Sequence, residues 1–430
     1  MKSWTGLLEQ ARPLLGAPSF LLFTDLLTGW VCVPGRRTIT AMIAVADPAG
    51  RRAHDAYHRF SRDGPWKMSG LWKVLAIHVV ARHAPTGVIE LLCDDTLFHK
   101  SGRKVNGAGV FRDAVRSTTR RVLYATGLNL VVVTIRISPP WGGCPIALPI
   151  NVRLHKKNDT TTTVAHAALM IREITRWPPG RELHLCADGA YATLVGAGLP
   201  RTQATSRMRR DATPYETAPS ATGKRGRPRM RGEPLPTPTE LAAKARPDDW
   251  MSVTVTIDHR GTPIERLAHV RDVLWYHVKK TGLVRLVIVR DPDGIERDDF
   301  FVTSDLTNSG AEAASRYAGR RPIEVCFRDV KQDLGGQDPQ SWKRQGPERA
   351  ASLSRWLHAL IWCWHIDTHP TGRTWIPRPW YPGKKTPSFL DALAAVRRVH
   401  WAGRTNTMSA SKHDHDKITD ALLDTLAYAA

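Results

Sequence analysis

Cysteine is scarce and scattered. The six in 430 residues (Cys32, Cys93, Cys144, Cys186, Cys326 and Cys363) form no Cys-x2-Cys pair. That excludes a disulfide-stapled scaffold, a cysteine zinc clasp and dithiol redox chemistry. Cys93 and Cys186 sit inside apolar runs, the usual place of reduced, buried thiols, which points to a reducing cytoplasmic compartment. No stretch offers the roughly 20 apolar residues of a membrane-spanning helix. The apolar segment 18–34 contains Asp25 and follows Glu9 and Arg12 rather than a basic leader, and the run from Trp356 to Ile366 is too short. No membrane partner is expected. Internal repeats are lacking, and none of the 17 histidines is assigned a metal. Acids are in deficit: 40 Asp+Glu stand against 62 Lys+Arg, a formal net charge of +22. Such an excess predicts a polyanionic partner, nucleic acid first. An apolar fraction of 42% can bury a real core and excludes a disordered chain.

The chain divides by pattern. Residues 1–86 read as helical, an expected DNA-binding domain, with Thr38 placed to cap a helix led by Ile39, Met42 and Ile43. Residues 87–200 alternate apolar runs with one helical stretch. Strands are expected at 88–93, 129–137, 145–154 and 183–187, and a helix at 161–176, which makes a mixed α/β unit around a central sheet. Residues 201–304 read as a basic loop followed by a β-rich insertion, with strands at 251–257, 273–278, 283–289 and 300–303. Helices return over 305–370. Pro322 suits the first turn of one that ends at Leu334-Gly335-Gly336, and a second spans 349–366. Residues 371–430 form a proline-bearing tail.

Three carboxylates stand out by position. Asp95 and Asp188 each follow a short apolar strand, and Glu324 falls in the first turn of a helix. An acid at the end of a buried strand is costly unless it is paired, hydrogen-bonded or bound to a cation. Converging carboxylates suit Mg²⁺, and two such ions serve phosphoryl transfer. Asp94 rivals Asp95, because the residues alone leave open which acid faces the site. Tyr317, Arg320, Glu324 and Lys331 follow the spacing Tyr-x2-Arg-x3-Glu-x6-Lys, with Glu324 and Lys331 on one helix face. The two cations there can grip a phosphate, and the tyrosine can donate to it.

Leu92-Cys93-Asp94-Asp95-Thr96, Cys186-Ala187-Asp188-Gly189-Ala190-Tyr191 and the segment Tyr317 to Lys331 resemble the bacterial insertion-sequence transposases of the DDE class that carry a Tyr-Arg-Glu-Lys signature. The resemblance spans about residues 88–365. It implies an RNase H-like core with a β-rich insertion between the second aspartate and the glutamate. It implies Asp95, Asp188 and Glu324 as catalytic metal ligands, Asp95 being preferred to Asp94 because it precedes a threonine. Mg²⁺, with Mn²⁺ as substitute, would serve cleavage at the element end and transfer of the freed 3′-hydroxyl to target DNA. A homodimer on double-stranded DNA, in the bacterial cytoplasm at the nucleoid, is implied as well. Gly189 replaces the arginine more usual after the second aspartate, and Pro322 replaces an apolar residue.

The basic segment 100–121, with Lys100, Arg103 and Lys104 at its start, is expected to lead DNA to the site. Lys224 to Arg229 resembles an AT-hook, which would put Arg225, Arg227 and Arg229 in a minor groove. Trp275, with Trp250 as its competitor, is the candidate to stack a flipped base. A transposase-derived DNA binder without cleavage, and a nuclease without strand transfer, remain the alternatives.

Overall fold

The computed structural model describes residues 4–118, 120–219, 229–257, 262–406, 419–420 and 422–423. Five helices come first: α1 (Trp4–Leu8), α2 (Ala17–Cys32), α3 (Ile39–Ala46), α4 (His54–Asp63) and α5 (Met68–His83). Thr38 caps α3 as its sequence suggests, its hydroxyl accepting from the Ala41 N–H at 3.1 Å. Strands β1 (Ile89–His99), β2 (Gly109–Arg112), β3 (Tyr124–Ile137) and β4 (Ile146–His155) follow, then α6 (Thr163–Ile174), β5 (Leu183–Ala187) and β6 (Thr202–Arg207). Next are α7 (Pro238–Lys244), β7 (Met251–Ile257), β8 (Thr262–Val273), β9 (Val284–Arg290) and β10 (Asp299–Thr303). The helices α8 (Gly310–Ala318), α9 (Pro322–Gln332), α10 (Gly346–Thr368) and α11 (Phe389–Asn406) complete the order. The result is a mixed α/β fold.

Among the described residues, all strands join one sheet in the order β2-β3-β1-β5-β6-β10-β9-β8-β7, with β4 also pairing β3. β1 and β4 each pair antiparallel with β3, while β5 and β6 run parallel to β1. Three expectations change here. β1 does not stop before the acids but runs on to His99, because Thr96, Leu97 and Phe98 pair with Leu130, Asn129 and Leu128 of β3. β6 occupies the start of the expected basic loop, and through its pairing with β10 the strands of the expected insertion continue the central sheet. Of the strand expected at 273–278, Val273 ends β8 and the rest is a turn, in which the Trp275 carbonyl accepts from the N–H groups of Val278 and Lys279.

α10 is buried on nearly all sides, its polar side chains Arg349, Arg355, His358 and His365 included. Its Arg349 donates to the Gly64 and Trp66 carbonyls at 2.7 and 2.6 Å, and Trp356 Nε1 donates to the Leu71 carbonyl at 3.0 Å. From the other direction, Trp30 Nε1 donates to the Leu334 carbonyl at 2.9 Å. The N-terminal helices thus share one core with the helices that follow the sheet. Among the described residues no helix is long and apolar enough to cross a membrane.

Candidate active site

Side chains alternate across a strand, so Asp94 and Asp95, both inside β1, point to opposite faces of the sheet. Parallel pairing matches Cys93 with Ala187, and the next residue is an aspartate in both cases, Asp94 within β1 and Asp188 directly after β5. Asp94 and Asp188 therefore lie side by side on the same face. α8 and α9 pack on that face. α8 begins with a reciprocal capping box between Ser309 and Glu312, and Pro322 opens α9 in its first turn. Between them the chain delivers Arg320, which donates to Asp94 Oδ2 at 2.7 Å and to Glu324 Oε1 at 2.6 Å. The Tyr317 ring sits 4.8 Å from that of Phe301, with the guanidinium groups of Arg207 and Arg320 over it at 5.7 and 5.9 Å.

The electrostatics follow from burial. The Asp94 carboxyl is pushed up to about 6, chiefly by desolvation and further by the charge of Asp188, against the pull of Arg320. Burial opposes the charge of Arg320, but Asp94 and Glu324 outweigh it and hold the guanidinium more firmly protonated than usual. Burial raises the Tyr317 phenol as well. Asp188 caps the short turn after β5 through Ala190 N–H at 3.0 Å, and its carbonyl accepts from Ser206 Oγ at 2.7 Å. The Glu324 side chain is 55% exposed, at the mouth of the cluster. Two of the three carboxylates, Asp94 and Glu324, share the Arg320 guanidinium, and Arg207 is engaged with Asp299. Hard oxygen donors short of positive charge are the set a divalent cation such as Mg²⁺ accepts. The chemistry of these donors suits such an ion, which would draw the carboxylates together and take over part of the role of Arg320.

Asp95 looks the other way. Its carboxylate accepts from the Tyr191 hydroxyl at 2.9 Å; burial and, less strongly, the charge of Asp188 raise its pKa, and the bonds from Tyr191 and Asn129 pull it back. Of the expected acids, Asp188 lies beside Asp94 across the sheet and Glu324 is joined to Asp94 through Arg320. Lys331 lies on α9 two turns beyond Glu324, with no hydrogen bond or ion pair among the described residues, and burial lowers its pKa to about 8. Lys100 spends its ammonium on the carbonyls of Gln337 and Pro339 at 2.6 and 3.0 Å, so it ties β1 to the loop after α9. Arg103 and Lys104 are exposed and line, with Arg36, an open basic cavity of about 470 Å³. Arg229 pairs with Glu233 at 3.1 Å, while Arg225 and Arg227 lie outside the described residues.

Trp275 is 7% exposed within the core, and Trp250 lies under the Arg290 guanidinium at 4.1 Å. Sequence reasoning did not find Tyr191, although it stands three residues after Asp188, or Arg207, whose strand carries no apolar run. The family described as DDE superfamily endonuclease matches residues 22–280, more than half of the chain. The match includes Asp94, Asp95 and Asp188 and ends before Glu324. Among curated proteins, none matches the chain.

Proposed function

Because the chain belongs to the DDE superfamily endonucleases, we propose that it is a transposase that cuts DNA at the ends of its own element and joins those ends to a target. One observation carries this reading: Asp94 has Asp188 beside it across the sheet and Glu324 joined to it through Arg320, three acids far apart in sequence. The first acid is assigned to Asp94 rather than Asp95, because only Asp94 faces Glu324. The strand order β4-β3-β1-β5-β6, antiparallel across the first three and parallel beyond, supports an RNase H-like core.

Members of the superfamily generally use divalent metal ions. Mg²⁺ held by Asp94, Asp188 and Glu324 would supply charge stabilisation at the attacking and leaving oxygens. The protein's own groups position the DNA. Arg320 and Lys331 bind the phosphate, Tyr317 donates to it, and Arg103 and Lys104 guide the flanking duplex. Water attacks the phosphodiester at the element end and leaves a 3′-hydroxyl. That hydroxyl then attacks a target phosphodiester, one P–O bond forming as another breaks. Joining two ends calls for a homodimer on the DNA.

The test incubates the full chain with element-end duplex, target DNA and Mg²⁺. Cleaved and joined products are expected from the wild type and neither from Asp188→Asn or Glu324→Gln. Cleavage that survives both substitutions overturns the assignment; cleavage without joining in the wild type reduces the protein to a nuclease.

A further inference from the structure

The sheet face opposite the acid cluster carries a second set of donors. β4 ends at His155, whose ladder partner is Asn129 on β3. The chain turns through Lys156 to Asp159, and Thr162 then caps α6, so His166 falls in the first turn of that helix. One donor atom each from His155, Asp159 and His166 lies within 4.8 Å of the other two. The two imidazoles meet edge to face at 5.8 Å. His166 Nε2 is 4.0 Å from Asp159 Oδ2, too far for a hydrogen bond. Asp159 Oδ2 already accepts from the Lys156 N–H at 3.2 Å and fixes the turn.

The ring nitrogens carry the argument. His155 Nδ1 and both nitrogens of His166 are buried, with no hydrogen-bond partner among the described residues. Buried polar atoms are nearly always paired, and an orphaned one calls for a water or an ion. Here one ring nitrogen from each histidine converges with a carboxylate oxygen. Burial, together with the charges of His155 and Arg153, lowers the pKa of His166 against the pull of Asp159.

We propose that His155, Asp159 and His166 bind a borderline first-row divalent ion, Zn²⁺ by preference, with water completing its coordination. Two imidazoles and one carboxylate suit Zn²⁺ rather than Mg²⁺. Bonds of about 2.0–2.2 Å require the donors to draw together by roughly an ångström, which side-chain rotation allows. The ion clips the end of β4 to the first turn of α6. It lies on the face that carries Asp95, so it does not compete for the carboxylates of the opposite face.

The full chain, stripped with chelator and dialysed, is titrated with ZnCl₂ by calorimetry, and its thermal unfolding is followed with and without Zn²⁺. The wild type is expected to bind Zn²⁺ and to melt at a higher temperature with it. His155→Gln and His166→Gln should each weaken that binding by more than about 100-fold, above the cost of losing an outer-shell partner. Asp188→Asn should leave it unchanged. No Zn²⁺ binding by the wild type, or binding indifferent to both histidine substitutions, overturns the proposal. Indifference is the result expected if the ion sits at His78, His83 and Cys363, whose donors also lie within 4.8 Å of one another. Should either variant fail to fold, zinc-edge anomalous scattering from wild-type crystals grown with Zn²⁺ decides. A peak between His155 and His166 upholds the site, and a map without one overturns it.

Discussion

Two neighbouring aspartates divide the chemistry of the two sheet faces. Asp94 meets Arg320, Asp188 and the side of Glu324; Asp95 meets Tyr191 and Asn129. The pair was legible in the sequence, and so were Asp188 and Glu324. Which member of the pair faces Glu324 was not, because the strand was expected to end at Cys93, and alternation cannot be applied to residues outside a strand. The unpaired ammonium of Lys331 supplies a pH-dependent prediction. Its folded pKa is lowered from 10.5 to about 8, so burial disfavours the charged form. Below about pH 8 the group is charged and can bind phosphate, which in turn favours the proton. DNA affinity should therefore fall as pH rises from 7 to 9, with proton uptake on binding. Lys331→Arg, which does not titrate in that range, should lose less. Fluorescence anisotropy at fixed salt checks this, and parallel pH profiles would contradict it. In the free protein the sign reverses: between about pH 8 and 10.5 the unfolded chain keeps a proton that the folded one has lost, so this group favours folding as pH rises.

At the scale of elements, the sequence was clearest where a local signal agreed with the tertiary context. Pro322 opens α9, Thr38 caps α3, and β5 matches its apolar run from Leu183 to Ala187. β6 was hidden because Thr202-Gln203-Ala204-Thr205-Ser206-Arg207 contains no apolar run. It is buried nonetheless, since small side chains at Ala204, Thr205 and Ser206 fit between β5 and β10. Val273 to Val278 misled in the opposite sense, because its β-branched and aromatic residues favour a strand while Trp275 is drawn into the core by a turn. The α8 capping box holds the helix that leads to Tyr317 and Arg320. Ser309→Ala should cost about 1 kcal/mol in urea unfolding, and an unchanged midpoint would deny the cap its role. Trp356 is fully buried in α10 and donates to Leu71 across the shared core; Trp356→Ala should cost about 3–5 kcal/mol in the same measurement.

For the whole molecule, the charge of +22 was the plainest signal in the sequence and the least specific. The single sheet was not legible, because pairing between β6 and β10 joins residues almost a hundred positions apart. The charge predicts DNA binding that weakens steeply with salt, the log–log slope being about −0.9 for each phosphate neutralised. Replacing Arg103 and Lys104 together by alanine should reduce that slope by about 2, with little change in catalysis by DNA already bound. A salt dependence identical to wild type would remove the basic cavity from the DNA path. The most direct test of the acid cluster compares Asp94→Asn with Asp95→Asn in single-turnover cleavage with Mg²⁺. Asp94→Asn should lose at least about 100-fold, the scale of removing a group that stabilises the transition state, and Asp95→Asn should stay within about tenfold of wild type. An inactive Asp95→Asn beside an active Asp94→Asn would contradict the assignment.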